Sequence, residues 1–355
     1  MVLLIIILGV CFLTVKFKSS KLLTFIVLLL AWLLIAFNYD NPDYDNYVIR
    51  FDNVSTWVGV ATQGIMDAGF SLLMRLFYVL GVQDYYHFKL IISGISLLLF
   101  LLFSMKNVRY HAFWAFLYLV FYAILDVTQF RNFVAFSVVL ALFPLLERNT
   151  FKSNILFLIG VLFATTIHFS MAFFLVMGLR LIKNERTRIL LIAVLAIAVF
   201  VLRSSIWGSL QDTTYYNRVD DYARTSVLGA LLTSTLFLCN YLIMHYFYLQ
   251  SRKNAINNEK AVLVVQQSLS VANSFALYLL FLVPFVFINS MPVRILRFAS
   301  LIEIGYLLNY AILIEKKKRS MVFLITLLLA VFFYFWTASN ALDGLKYNYI
   351  LDYLL

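Results

Sequence analysis

The chain has few charged residues, few histidines and only two cysteines, and each shortage narrows what it can do. Asp, Glu, Lys and Arg make up 13% of the 355 residues, whereas 63% are hydrophobic, a balance that excludes a soluble domain of this length. Cys11 and Cys239 lie far apart in apolar runs, so we interpret both as small core residues without a disulfide. The four histidines have no HExxH or similar ligand spacing, so we predict no metal site and no cofactor.

Apolar runs of helical length follow one another through the whole chain, which predicts an all-α polytopic membrane protein. We predict about twelve transmembrane helices in a single integral membrane domain spanning residues 1–355. The predicted spans are residues 2–15, 22–38, 89–105, 111–126, 132–146, 154–167, 169–182, 189–203, 227–249, 262–288, 295–314 and 321–338. Large outer loops are expected at 39–88 and 204–226. The net charge of +11 is held mostly in loops, so it does not indicate a nucleic-acid partner.

The apolar run from Asn154 to Ile182 is longer than the roughly 20 residues that one span needs. It is either one tilted helix or a hairpin of two short helices that turns at His168. With a hairpin, 18 of the 28 cations lie on the cytoplasmic side of the membrane. A single long helix would leave 13 cations on that side and 15 on the outer side. Because positive charge concentrates in cytoplasmic loops, we favour the hairpin, with the turn and both chain termini on the outer face.

The cations that remain outside differ in type from those inside. Ten of the 28 cations remain outside, and eight of these are Arg. Every Asp of the chain lies on the same outer side. The outer cations are Arg50, Arg75, Lys89, Arg131, Arg203, Arg218, Arg224, Arg294, Arg297 and Lys346. Since the planar guanidinium binds phosphate or carboxylate bidentately, and Tyr and Asp commonly hold sugar hydroxyls, these residues indicate an outer cavity for a molecule with sugar and diphosphate.

Five motifs in this order resemble the EpsG family of Wzy-like bacterial polysaccharide polymerases. They are D-Y-D-N-Y, then D-A-G-F-S-L-L-M-R-L-F-Y-V-L-G in an interfacial amphipathic helix, Q-F-R-N-F-V-A-F, F-A-T-T-I-H-F-S-M-A-F-F-L and V-R-I-L-R-F. The chain departs from the family where Asp67-Ala68 replaces a frequent Glu-Pro and where Asn132 replaces a frequent Gln. The matching motifs cover most of the chain.

The resemblance implies an enzyme that passes a growing glycan from polyprenyl diphosphate to a sugar hydroxyl of the next lipid-linked unit. It needs no metal, acts on the outer face of the bacterial cytoplasmic membrane, and has membrane lipids and other polysaccharide-assembly proteins as partners. The implied catalytic residues are His168, Arg131 and Arg294. The implied substrate-binding residues are Arg75, Arg297, Asp43, Asp45, Tyr47 and Asp126.

Other interpretations of the same residues stay open. His168 could be a buried histidine bonded to a helix carbonyl, and Arg131 could reach the outer headgroups as a lipid anchor. A glycan ligase would use the same donor site as a polymerase. A lipid-linked oligosaccharide flippase would need polar groups near the bilayer midplane, where Glu303 is the clear carboxylate within a predicted span.

Overall fold

The computed structural model describes residues 9, 12–38, 41, 43–62, 68–211, 227–253, 259–286, 291–314 and 316–337. Helices make up nearly all of these residues, and no strand occurs among them. The first half contains α1 (Lys21–Ala36), α2 (Tyr44–Asn53), α3 (Trp57–Thr62), α4 (Ala68–Val79), α5 (Tyr85–Asn107), α6 (His111–Phe121), α7 (Ala123–Thr128) and α8 (Phe130–Leu142). The second half contains α9 (Phe151–Ile167), α10 (Glu185–Gln211), α11 (Val227–Lys253), α12 (Glu259–Leu279), α13 (Val283–Val286), α14 (Met291–Tyr310) and α15 (Lys316–Thr337).

Four helical stretches of the described chain have both the length and the apolar composition to cross a membrane. They are Tyr85–Asn107, Phe130–Arg148, Val227–Lys253 and Val262–Val286. Shorter apolar helices, such as Lys21–Ala36 and His111–Phe121, accompany them, so the chain is a multi-pass membrane protein, while the predicted number of twelve spans is not confirmed. The predicted span 2–15 lies largely outside the described residues.

Two predicted boundaries differ from the structure. The predicted span 111–126 is divided at Tyr122, where α6 ends and α7 begins. The predicted outer loop 204–226 begins too early, because α10 continues to Gln211, and the remainder of that loop lies outside the described residues. Apolar composition could not show the helix break, since it does not change at Tyr122, whereas α10 continues past the polar residues that begin at Arg203.

The hairpin turns at His168, which has extended backbone angles between α9 and a second helix, Phe169–Leu181. This second helix, called the return helix, is a 3₁₀ helix. The two arms pack along each other: a Cβ at Gly178 would lie 3.4 Å from Leu158, at the same distance along the chain from His168. The 13 residues of the return helix rise about 2.0 Å each, so the arm measures about 26 Å instead of the roughly 21 Å expected for a short α-helix.

The core is centred on α6 and α14, whose facing sides are buried almost completely. The indole of Trp114 is fully buried and donates its Nε1–H to the carbonyl of Leu301 at 2.9 Å. Every residue from Ile295 to the end of α14 at Tyr310 is buried. Because α14 is held on several sides, the charged residues near its N-terminal end are fixed within the bundle rather than at its rim.

The amphipathic helix α4 leans against the tip of the hairpin, and Gly69 permits this close approach. A Cβ at Gly69 would lie 2.7 Å from the backbone carbonyl carbon of Thr166, two residues before the turn at His168. No side chain larger than hydrogen fits there without moving one of the two helices. The fold thus places α4 of the 39–88 segment beside the turn at His168.

Candidate functional site

The break between α7 and α8 carries five polar side chains in one short segment, residues 126–132, here called the junction. Gln129 has non-helical backbone angles and ends α7 while it begins α8, so the side chains before and after it point in different directions. Asp126 lies before the break, and Arg131 and Asn132 lie after it. Each of these three residues contacts a different part of the chain.

Asp126 contacts α14 through an ion pair with Arg297. Nη2 of Arg297 lies 3.0 Å from Oδ1 of Asp126, and each side chain is only 2% exposed. The Tyr118 hydroxyl donates to the second carboxylate oxygen, also at 3.0 Å. Nε, Nη1 and Nη2 of Arg297 have no partner with hydrogen-bond geometry among the described residues, although the charges of the pair are in contact. The buried guanidinium therefore keeps the capacity to bind a further anion.

Arg294 lies one helical turn before Arg297 on α14 and is half-buried. Its positive charge acts unfavourably on the guanidinium of Arg297, so the two predicted cations are electrostatically coupled. A cluster of like charges in a partly buried site is stabilised when an anion binds between its members.

Arg131 contacts α2 at the other side of the junction. Its Nε–H donates to the Tyr47 hydroxyl at 3.2 Å, and its guanidinium lies 5.6 Å from the centre of the Tyr47 ring. Tyr47 is buried and stacks on Tyr85 with ring centres 5.6 Å apart. Burial raises the pKa of the Tyr47 phenol above its ordinary value while the charge of Arg131 opposes the shift, so the hydroxyl keeps its proton at neutral pH. Asp43 is close enough to act on Tyr47 electrostatically.

Asn132 connects the junction to the turn of the hairpin. The Ser170 hydroxyl donates to Oδ1 of Asn132 at 2.7 Å and lies 2.7 Å from Nδ1 of His168. On the far side, Nδ2 of Asn132 donates to Oε1 of Gln129 at 3.4 Å. Ser170 and Asn132 are fully buried, whereas His168 is partly exposed. The ring of His168 is thus held at the turn by a chain of polar groups, here called the relay.

The relay bears on the position of the imidazole proton. Ser170 has one hydroxyl hydrogen, so if it donates to Asn132, the 2.7 Å contact requires a proton on Nδ1 of His168. A neutral ring then has Nε2 unprotonated and basic. The backbone N–H of Ser170 also lies 3.2 Å from Nδ1, a contact that suits the opposite tautomer. The two shorter contacts favour the Nδ1–H form.

Two predicted binding residues lie elsewhere. Nη1 of Arg75 donates to the carbonyl oxygens of Val54, at 3.1 Å, and Ser55, and the guanidinium lies over the rings of Trp57 and Tyr78. These contacts hold the connection between α2 and α3 against α4, so Arg75 has a structural role. Asp45 is exposed on the first turn of α2. Neither is joined to the junction by a contact among the described residues.

Lys89 is a buried cation that sequence reasoning counted among the outer charges but did not assign to the site. It is 1% exposed, donates to the carbonyl oxygen of Asn38, and lies 5.4 Å from the ring centre of Tyr44 and 5.9 Å from that of Phe130. No carboxylate pairs with it among the described residues. Its place one turn inside an apolar run was the signal that could have identified it, because a lysine there requires a partner.

Within the described part of the chain, no group of three or more His, Cys, Asp or Glu residues is placed to hold a metal ion. A family model described as the EpsG family matches residues 21–355 of the chain. No curated protein and no solved structure gives a match.

Proposed function

Since the chain belongs to the EpsG family of Wzy-like polysaccharide polymerases, we propose that it joins polyprenyl-diphosphate-linked oligosaccharide units on the outer face of the bacterial cytoplasmic membrane. In each step an acceptor hydroxyl oxygen forms a bond to the anomeric carbon of the donor glycan. The bond from that carbon to the diphosphate oxygen breaks, and polyprenyl diphosphate leaves with the bonding electrons. The hydroxyl proton passes to a base on the protein.

The observation that carries this proposal is the convergence of separate motifs on the junction. Residues 126–132 contact α14 through Arg297, α2 through Tyr47, and the hairpin turn through Ser170. These three contacts bring together cations for a diphosphate, a phenol and carboxylate for sugar hydroxyls, and an imidazole for a proton. A metal-independent glycosyl transfer with an activated leaving group needs these groups and a defined geometry.

We assign the leaving diphosphate to Arg131, Arg294 and Arg297. The guanidinium of Arg297 has hydrogen-bonding capacity that Asp126 does not use, and Arg131 contacts the hydroxyl and the ring of Tyr47 at the other side of the junction. Guanidinium groups stabilise negative charge that develops on the leaving group in a partly dehydrated site. Lys89, buried beside Tyr44 and Phe130, is a further basic side chain next to the junction.

His168 is assigned as the base for the acceptor hydroxyl. With Nδ1–H donated to Ser170, Nε2 is the nitrogen that can accept a proton. A neutral imidazole at the turn costs less to hold in a membrane protein than a permanent charge. Tyr47, Asp43 and Asp126 are assigned to the sugar, whereas Arg75 and Asp45, which have no contact with the junction among the described residues, are not assigned to the reacting groups.

The chain length of the glycan made by cells that lack the protein tests the proposed function. Single repeat units on the outer face would support a polymerase. Full-length polymer still attached to its lipid carrier would indicate a ligase, which would have the same donor site. If no unit reaches the outer face, the protein is a flippase, and Glu303, buried within α14, becomes the residue to examine.

A further inference from the structure

A polar cavity lies at the other end of the hairpin from His168. It has a volume of about 420 Å³ and is lined by the start of α9, the end of the return helix, the start of α10 and parts of α11 and α12. Because α9 has 17 residues, its two ends are about 25 Å apart, so this cavity is separate from the site at the turn. The volume falls in the range of about 300–1,000 Å³ that small-molecule sites occupy.

Three cations line this cavity: Arg180 at the end of the return helix, Lys183, and Arg188 in the first turns of α10. Arg188 lies close enough for its positive charge to act unfavourably on Arg180. Glu185 is the carboxylate in the lining, yet it forms no ion pair with these cations among the described residues, and its charge acts instead on Tyr241 of α11. The cavity therefore keeps an excess of positive charge.

The two guanidinium groups are held in place but are not saturated by the protein. Arg180 donates through Nη1 to the Ser274 hydroxyl at 3.1 Å and, more weakly, to the carbonyl of Ser270 at 3.5 Å, and through Nη2 to Oδ1 of Asn149, also at 3.5 Å. Arg188 donates through Nη1 to the Tyr278 hydroxyl at 2.9 Å. The Nε atoms of both residues are buried and have no hydrogen-bond partner in the described part of the chain. Neutral hydroxyl and carbonyl partners orient a guanidinium without neutralising it.

We propose that this cavity binds the phosphate group of a phosphate ester, with Arg180 and Arg188 as the phosphate ligands. Two oriented guanidinium groups match the geometry of phosphate oxygens, and an anion between them offsets the repulsion between Arg180 and Arg188. The cavity is larger than a phosphate needs, and Tyr248 and Leu277 line the rest of it, which suits a glycerol, sugar or nucleoside attached to the phosphate. The ester is either soluble or the headgroup of an anionic lipid, and the topology predicted from the charges places the cavity at the cytoplasmic face.

Thermal unfolding of the purified full-length protein tests this site with two probes. Glycerol 3-phosphate in detergent solution represents a soluble ester, and nanodiscs of phosphatidylglycerol, compared with phosphatidylcholine, represent a lipid headgroup. A ligand that binds the folded state raises the Tm in proportion to the logarithm of its concentration above Kd. Arg188→Gln and Arg180→Gln should weaken that binding by roughly tenfold or more, since each removes a charged hydrogen-bonding partner.

Arg186→Gln is the matched control, because Arg186 is an exposed cation in the first turn of α10 that does not line the cavity. A shift with glycerol 3-phosphate that both cavity variants lose and the control keeps supports a soluble ester. The same pattern in phosphatidylglycerol nanodiscs alone supports a lipid headgroup. An equal loss in the control, or no shift with either probe in the unaltered protein, overturns the proposal. Should Arg180→Gln fail to fold, Arg188→Gln decides, since among the described residues the Arg188 side chain makes a single hydrogen bond, to the Tyr278 hydroxyl.

Discussion

The hydroxyl of Ser170 donates to Oδ1 of Asn132 at 2.7 Å, and this bond connects the hairpin turn to the junction between α7 and α8. Ser170 and Asn132 are both fully buried, so the bond is shielded from water. A buried hydrogen bond between two residues far apart in sequence fixes the relative position of their helices. The bond therefore fixes the position of His168 relative to Arg131. Neither the return helix nor α8 could determine that position by itself.

His168→Ala should remove polymer formation while the protein remains inserted and able to bind a lipid-linked unit. The change deletes the proposed base but leaves α9, the return helix and the junction in place. Glycan length measured in cells, together with the amount of protein in the membrane, checks this outcome. Polymer of normal length and amount from this variant would make His168 a packing residue and move the base to Asp43, Asp45 or Asp126.

Ser170→Ala should slow polymerisation without removing it, because the imidazole stays but loses the hydroxyl that orients it. If Nδ1 donates to this hydroxyl, Nε2 is the basic atom, and activity of the unaltered protein should fall at acidic pH, where the imidazole binds a proton. The rate as a function of pH measures this. A rate that rises toward acidic pH would instead indicate a cationic His168 that donates to the diphosphate.

Arg131→Lys should reduce activity about tenfold or more at a normal protein level, since lysine keeps the charge but lacks the planar fork. Tyr47→Phe removes the hydroxyl that accepts from Nε of Arg131 and keeps the ring that packs on Tyr85, so a smaller loss is expected. Arg109→Lys, at an exposed arginine, serves as the control. If Arg131→Lys and the control retain equal polymer yields, bidentate binding by Arg131 is not part of the reaction.

A cysteine at Asn184 should be labelled only from the cytoplasm, because the hairpin returns the chain to the side where most cations lie. The test uses a thiol reagent that does not cross the membrane, in a background where Cys11 and Cys239 are replaced. Labelling in intact cells would reverse the topology of everything that follows the return helix. It would also put the cavity of Arg180 and Arg188 on the outer face.

The sequence was sufficient to predict the helical fold and the turn at His168, because both depend on apolar run length and charge distribution. It could not show that the return helix is 3₁₀, since an apolar sequence such as F-S-M-A-F-F-L-V-M is compatible with either helix. The helix break at Tyr122 was not predicted either, because the apolar composition does not change there.

The members of the candidate site could be named from residue type, but their contacts could not. Asp126 and Arg297 are far apart in the chain, and only packing of α7 on α14 makes them a pair. Arg75 was grouped with the outer arginines by its charge, yet its hydrogen bonds to Val54 and Ser55 depend on the path of a connection. Lys89 was not selected because an isolated lysine near a helix end ordinarily reaches water.

The pair of Asp126 and Arg297 allows structure and activity to be separated. Asp126→Leu alone leaves a buried guanidinium without its carboxylate, which costs about 3–5 kcal/mol, so the Tm and the yield of folded protein should fall strongly. Asp126→Leu combined with Arg297→Met replaces both charges by apolar groups of similar size and should restore much of that loss. If Arg297 binds the diphosphate, the restored double variant still makes no polymer.

Tyr118→Phe keeps the ring and removes one hydrogen bond to Asp126, so it controls for a change limited to orientation of the carboxylate. A stable double variant that makes polymer of normal length would show that the pair serves only to hold α7 against α14.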